Sequence, residues 1–210
     1  LAAAKENRAP AAFLDRLALS PIRIEAMAKG IEEVAKLPDP IGKTIDNWDR
    51  PNGLKISRVT VPIGVIGMIY EARPNVTADA GAICLKSGNA VILRCGSDSY
   101  NSSRMIAAAM QQGLDRAGLP QAAIQLVPTT DRKAVGEMLQ MSEYIDIIIP
   151  RGGKSLTERI KNESKIATLL HLDGNCHTYI HSKADPKMAA SVTFNAKMRR
   201  TGICGATESI

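Results

Sequence analysis

Read for its apolar and polar positions, the chain falls into stretches of different rhythm. Near the start, Ser20-Pro21 opens a helix, with Ser20 as cap and Pro21 at the first helical position, and Ile22, Met27, Ile31 and Val34 can share one apolar face. Pro38-Asp39-Pro40 ends it. The stretch "KTIDNWDRPNGLKISRVTVP" predicts a hairpin with Asn52-Gly53 in the turn. A lone hairpin is marginal in water, so this one is expected to pack on another domain or subunit.

From Ile63 short apolar runs alternate with helical segments. "IGVIGMIY" predicts a buried strand, "NVTADAGAICLKSG" a helix capped by Asn75 and closed by Gly88, and "AVILRC" a second strand. A long helix follows from about Asp98 to Ala117, ended by Gly118, and leads into the strand "AIQLV". "TDRKAVGEMLQM" and "YIDIIIP" repeat the unit, "GGKSLTERIKN" supplies another helix and "KIATLL" a fifth strand. Five strands joined by four helices predict an α/β fold with a parallel sheet covered on both faces. After Gly174 the rhythm changes again: "CHTYIHS" predicts a strand and Asp185-Pro186 a helix to about Met198, so a domain boundary is expected near Cys176.

A chain of 210 residues can bury one substantial core. Hydrophobic residues at 45% and charged residues at 23% are ordinary for a soluble globular protein, and no apolar run is long enough to span a membrane. The opening "LAAAKENRAPAAFLDRLALS" lacks the layout of a signal peptide, and a cytoplasmic protein without its original start is expected. Cys84, Cys95, Cys176 and Cys204 fit neither a CxxC motif nor a disulfide framework and are expected to be reduced; no metal site is expected. The net charge of +6 favours an anionic partner, but aromatics at 3% do not interleave with the basic residues, which argues against nucleic acid.

In an open parallel sheet, ligands bind beyond the carboxyl ends of the strands. The loops "EARPNVT", "RCGSDS", "PTTD" and "PRGGKS" qualify. In the last, Gly152 and Gly153 let the backbone approach an anion while Arg151 and Lys154 add positive potential. The alternative is a tight strand-to-helix turn that needs glycine for geometry alone. Neither a Walker A loop nor GxGxxG is present, because Ile148 stands at the first glycine of the former and Gly64 and Gly67 are three apart. Arg94 ends a strand before Gly96 and Ser97, suited to a ribose or phosphate or, alternatively, to solvating the strand end. Cys176-His177 reads as structural, since adjacent strand residues point to opposite faces. Cys204 differs. It lies between glycines downstream of Arg199 and Arg200, where a nearby cation or helix N-terminus would favour the thiolate of a nucleophile.

"VPIGVIGMIYEARPNVTADAGAICLKSGNAVILRCGSDSYNS", "YIDIIIPRGG", "DGNCHTYI" and "NAK…C…ES", in this order, resemble the gamma-glutamyl phosphate reductases of the aldehyde dehydrogenase superfamily. The resemblance runs from about Phe13 to the end. It implies a parallel-sheet nucleotide-binding domain of aldehyde dehydrogenase type with a projecting hairpin and the start of a catalytic domain. The boundaries expected are 1–40 for an N-terminal helical part, 41–62 for an oligomerisation-type hairpin, 63–175 for the NADPH-binding domain and 176–210 for the catalytic start. It implies NADPH-dependent reduction of L-glutamyl 5-phosphate to L-glutamate 5-semialdehyde, the second step of proline synthesis, with glutamate 5-kinase as pathway neighbour and a homo-oligomer as the assembled state.

By the same resemblance Cys204 is the nucleophile, Arg94, Gly96 and Ser97 meet the adenosine end of the cofactor, and Arg151, Gly152, Gly153 and Lys154 lie near its pyrophosphate. The chain departs from the pattern in places. Gly205 stands where the family has Asn after the cysteine, and Ala72 where ordinary aldehyde dehydrogenases carry an oxyanion-binding Asn, which leaves Asn75 as the nearest substitute. The water-activating glutamate of ordinary aldehyde dehydrogenases has no equivalent in "LLHLDGNCH", which suits an enzyme whose thioester should meet phosphate rather than water. The family pattern extends beyond both ends of the chain, so this segment alone is expected not to turn over. Two rivals are a non-phosphorylating aldehyde dehydrogenase and a nucleotide-binding or regulatory module without chemistry.

Overall fold

A computed structural model describes residues 11–171, 174–201 and 203–210; the first ten residues of the expected 1–40 part, and Leu172 and Asp173 of "LLHLDGNCH", lie outside them. Helix α1 spans Ala11–Leu17 and α2 Pro21–Lys36. Ser20 caps α2 as its sequence predicts, its hydroxyl accepting from the Arg23 amide at 3.3 Å. The apolar face is narrower than predicted: Met27, Ile31 and Val34 are half-buried, but Ile22 is 82% exposed. Strands β1 (Thr44–Asp49) and β2 (Lys55–Val59) form the antiparallel hairpin, with Trp48 opposite Ile56. Asn52 Oδ1 accepts from the Leu54 amide at 3.2 Å in the turn, and only Ile56 of the two strands is even half-buried.

The predicted parallel sheet is present. It consists of β3 (Val65–Tyr70), β4 (Ala90–Cys95), β5 (Ile124–Leu126), β6 (Ile147–Arg151) and β7 (Ala167–Thr168), in the order β5-β4-β3-β6-β7. Between its strands run α3 (Asn75–Lys86), α4 (Tyr100–Arg116), α5 (Lys133–Met138) and α6 (Lys154–Glu163). Strand alternation sorts the core into two faces. Ile66, Tyr70, Val91, Leu93 and Cys95 pack with Val76, Ala80 and Cys84 of α3 and Leu114 of α4. Ile69 and Ile148 pack on the other face with Val135 and Met138 of α5 and Ile160 of α6. Gly88 and Gly118 close α3 and α4 at φ of 70° and 69°, which L side chains rarely adopt.

Several predicted elements are altered. Asn75 does not cap α3: Pro74 holds the cap position, and Asn75, one residue inside, donates from Nδ2 to Asp79 Oδ2 at 2.9 Å. Ser97–Ser99 form a 3-10 turn before α4 begins, and the helix predicted over 130–141 is reduced to six residues flanked by turns.

Chain contacts divide the molecule into two units, Leu1–Leu170 and His171–Ile210. The second holds α7 (Pro186–Met198), capped by Asp185, whose Oδ1 accepts from the Met188 amide at 2.7 Å. The strand predicted from "CHTYIHS" does not form; a single bridge joins His177 to Ser209. Beyond that bridge Tyr179 is 84% exposed and stacks edge-on with His181 rather than on a neighbouring strand.

Candidate active site

Strand order reverses direction between β3 and β6, and in such sheets the crevice outside the carboxyl ends at that point is where ligands bind. Two of the predicted loops meet there. The Glu71 amide donates to the Arg151 carbonyl at 3.1 Å, and Glu71 Oε2 accepts from the Gly153 amide at 2.8 Å, so a carboxylate faces the N-terminal turn of α6. A methyl group at Gly152 would lie 2.6 Å from Glu71 Oε2 and 2.7 Å from Leu156 Cδ2, so a side chain there would have to displace the Glu71 carboxylate from its present place. Arg151, Gly152, Gly153 and Lys154 are all exposed. Sequence reasoning missed Glu71. Its signal was an acidic residue just past the first sheet strand in a protein whose next glycine pair follows the neighbouring strand.

One strand over, the structure brings Arg94 to the "PTTD" loop. The side chain emerges on the face it shares with Ile92, is only 7% exposed, and donates from Nη2 to the carbonyls of Thr130 and Asp131 at 3.0 and 3.1 Å. Its Nε is buried without a partner among the described residues. Burial pulls the guanidinium's pKa below its ordinary value, and the charges of Arg132 and Arg159 push the same way against Cys95 and Asp131. Gly96 packs on the Glu71 backbone, where a methyl would be 3.4 Å from Cα, and Ser97 is exposed in the 3-10 turn. Asn75 is exposed at the start of α3, above a buried Tyr70 hydroxyl that meets Thr77 Oγ1 at 2.6 Å. Burial pushes the Tyr70 pKa up to about 12, which keeps that phenol protonated.

In the second unit, Cys204 lies in a turn past the C-terminal end of α7 rather than at a helix N-terminus, and its side chain is exposed. The turn is held from below. The Cys176 thiol donates to the Cys204 carbonyl at 3.2 Å, the Glu208 amide to the Cys176 carbonyl at 2.7 Å, and the Thr178 amide to the Ser209 carbonyl at 3.0 Å. His177 Nδ1 meets Ser209 Oγ at 2.6 Å and Thr178 Oγ1 meets Thr207 Oγ1 at 2.8 Å. Gly174 lies against the Cys204 backbone so closely that a side-chain carbon there would collide with its carbonyl oxygen. Cys176 therefore supports the Cys204 turn, and His177 ties the same segment to Ser209. Among the described residues no group of three or more His, Cys, Asp or Glu gathers to hold a metal ion, and no helix is long and apolar enough to cross a membrane.

The four thiols differ in reach. Burial pushes Cys84 up to about 11 and raises Cys95 as well, whereas Cys204 is open to solvent. Iodoacetamide followed by peptide mass analysis is expected to label Cys204 first, half-buried Cys176 more slowly, and Cys84 and Cys95 only when the chain is unfolded. Early labelling of Cys84 or Cys95 would contradict the packing of α3 and β4.

The aldehyde dehydrogenase family model matches residues 16–210. The chain is 66% identical over 199 residues to the gamma-glutamyl phosphate reductase of Rhodospirillum rubrum, covering 95% of this chain and 47% of that protein. Its counterpart in Gluconobacter oxydans is 61% identical over 210 residues, covering 100% of the chain and 49% of that protein. The crystal structure of gamma-glutamyl phosphate reductase from Thermotoga maritima superposes with a TM-score of 0.91 at 42% identity, over 99% of this chain and 50% of that one. The chain thus spans about half the length of the curated relatives it matches.

Proposed function

The chain belongs to the aldehyde dehydrogenase family, and we propose that its protein uses NADPH to reduce L-glutamyl 5-phosphate to L-glutamate 5-semialdehyde and phosphate, a cytoplasmic step of proline synthesis. The observation that carries this reading is the exposed Cys204 thiol on a braced turn, in a sequence 66% identical to a relative named for that reaction. Cys204 Sγ, as thiolate, attacks the acyl carbon; the C–S bond forms, the bond from that carbon to the phosphate oxygen breaks, and inorganic phosphate leaves a thioester behind. A nicotinamide cofactor, when bound, would supply the hydride that reduces the thioester carbon to the aldehyde, and the C–S bond would break to restore the Cys204 thiolate.

The loops at the strand reversal suit such a cofactor. Gly152 and Gly153 leave backbone amides open to a pyrophosphate once the Glu71 carboxylate yields the Gly153 amide, Arg151 and Lys154 add positive charge, and Gly96 and Ser97 border the adenosine end. Arg94 contributes from beneath, by holding the Thr130–Asp131 loop. Asn75 remains the candidate donor to the oxyanion that forms on attack. The exposed apolar residues Ile45 and Leu54 of the hairpin favour a homo-oligomer joined there, and a glutamate 5-kinase would supply the acyl phosphate.

The test is run in reverse on the complete protein. NADP reduction with glutamate 5-semialdehyde is expected to require inorganic phosphate and to fall by roughly 10³-fold or more in Cys204→Ala. Phosphate-independent turnover would instead indicate the hydrolytic dehydrogenase. Unchanged turnover in the variant would remove Cys204 from the chemistry.

A further inference from the structure

On the face of the sheet covered by α5 and α6, three arginines come together from three elements. Arg94 reaches up from β4 and is locked on the carbonyls of Thr130 and Asp131, so its guanidinium lies directly beneath the residue that follows them, Arg132. Arg132 stands at the head of α5, exposed, and its guanidinium has no hydrogen-bond or ion-pair partner among the described residues. Four residues on, and so on the same side of that helix, is Gly136. A methyl group there would be 3.3 Å from Arg159 Nη2, so the Arg159 side chain crosses from α6 over the gap that Gly136 leaves.

Two acidic groups close to them are already engaged. Glu163 accepts from Arg159 Nε with both oxygens at 3.0 Å, and Asp131 Oδ1 accepts from the Lys133 amide at 2.9 Å. Three positive charges thus face two committed negative ones. Arg132 and Arg159 each act on Arg94 as like charges, and like charges held together are stabilised by an anion bridging them. A phosphomonoester dianion fits best, because it offers several acceptor oxygens to more than one guanidinium at once.

The position narrows the choice of phosphate. In sheets of this type the end of the second strand faces the ribose of a dinucleotide, where an arginine accommodates a 2′-phosphate. Here the second sheet strand is β4, and its own arginine is turned inward and occupied by the loop carbonyls. We propose that Arg132 and Arg159 receive the adenosine 2′-phosphate of the cofactor and so select NADPH over NADH, while Arg94 fixes the loop that presents Arg132. This rests on the cofactor reading given above and adds to it the residues that discriminate between the two cofactors.

The complete protein and its Arg132→Ala and Arg159→Ala variants are titrated with NADPH, NADH and adenosine 2′,5′-bisphosphate, with circular dichroism to check that each variant keeps its fold. Arg132→Ala is expected to weaken NADPH and the bisphosphate by about tenfold or more while NADH changes less than about twofold, since charge-assisted contacts to phosphate are lost only where the phosphate exists. Arg159→Ala is expected to follow with a smaller loss, its charge being shared with Glu163. Equal losses for both cofactors, or none for either, would overturn the assignment and leave the dehydrogenase reading standing. Failure of the unmodified chain to bind any of the three probes would overturn both.

Discussion

Replacing Ile148 with alanine is expected to destabilise the first unit by about 2–5 kcal/mol, a large share of the roughly 5–15 kcal/mol typical of a folded domain. Ile148 is fully buried on β6, between β3 and β7, and belongs to the cluster that joins the sheet to α5 and α6. Directly opposite it on β3 is Gly67, which has no side chain; the Ile148 Cδ1 methyl fills the space above that glycine, with Met138 and Ile145 closing it in. Truncation to alanine would leave a gap over a residue that cannot fill it. The strand on one side and two helices on the other limit how far the site can collapse, so the cost belongs toward the upper part of the range. Urea unfolding should show a lower midpoint at unchanged slope. A loss under about 1 kcal/mol would mean that α5 and α6 move in to fill the gap. Because β6 ends in the Arg151–Gly153 loop, the same variant should also loosen the Glu71–Gly153 contact at the strand reversal.

The elements legible in the sequence are those whose burial leaves a local pattern. β3, β4 and β6 stand out as runs of Val, Ile and Leu because both faces of each are covered, and Ser20, Asp185, Gly88 and Gly118 mark helix ends through contacts within a few residues. Where the determining contact is distant the sequence is silent. Glu71 meets Gly153 across 82 positions and Arg94 meets Thr130 across 36, and neither partner is marked by any local spacing. This is why Arg94, read as a residue at the surface facing a ligand, is found beneath the loop, and why Arg132 and Arg159 attract no attention until α5 and α6 are seen side by side. "CHTYIHS" failed for the complementary reason: its alternation suits a strand, but a strand needs a neighbour, and among the described residues the short 207–209 segment offers it a single bridge, at Ser209. Asn75 misled because a capping residue type one place inside a helix looks the same as one at the cap.

The site in the second unit depends on one position that offers no side chain at all. Gly174→Ala is expected to lower turnover of the complete protein by about 10²-fold, the size of effect produced when a catalytic group is displaced by about 1 Å. The added carbon would strike the Cys204 carbonyl oxygen and lie 2.9 Å from the carbonyl carbon and 3.2 Å from Cα. These are backbone atoms, so no rotamer change relieves the clash. The turn itself must shift, and with it the hydrogen bond from the Cys176 thiol and the direction of Sγ. The cost to stability, by analogy with overpacking elsewhere, is about 1–3 kcal/mol and should fall on the second unit alone. Gly205→Ala supplies the control, since nothing lies within 4 Å of a methyl group placed there. If both variants lose activity alike, the turn as a whole is intolerant and the Gly174 contact has no special role. If Gly205→Ala keeps its activity while Gly174→Ala loses it at similar substrate affinity, the fall in kcat reports misplacement of the nucleophile. Glycine at 174 is then the condition for presenting Cys204.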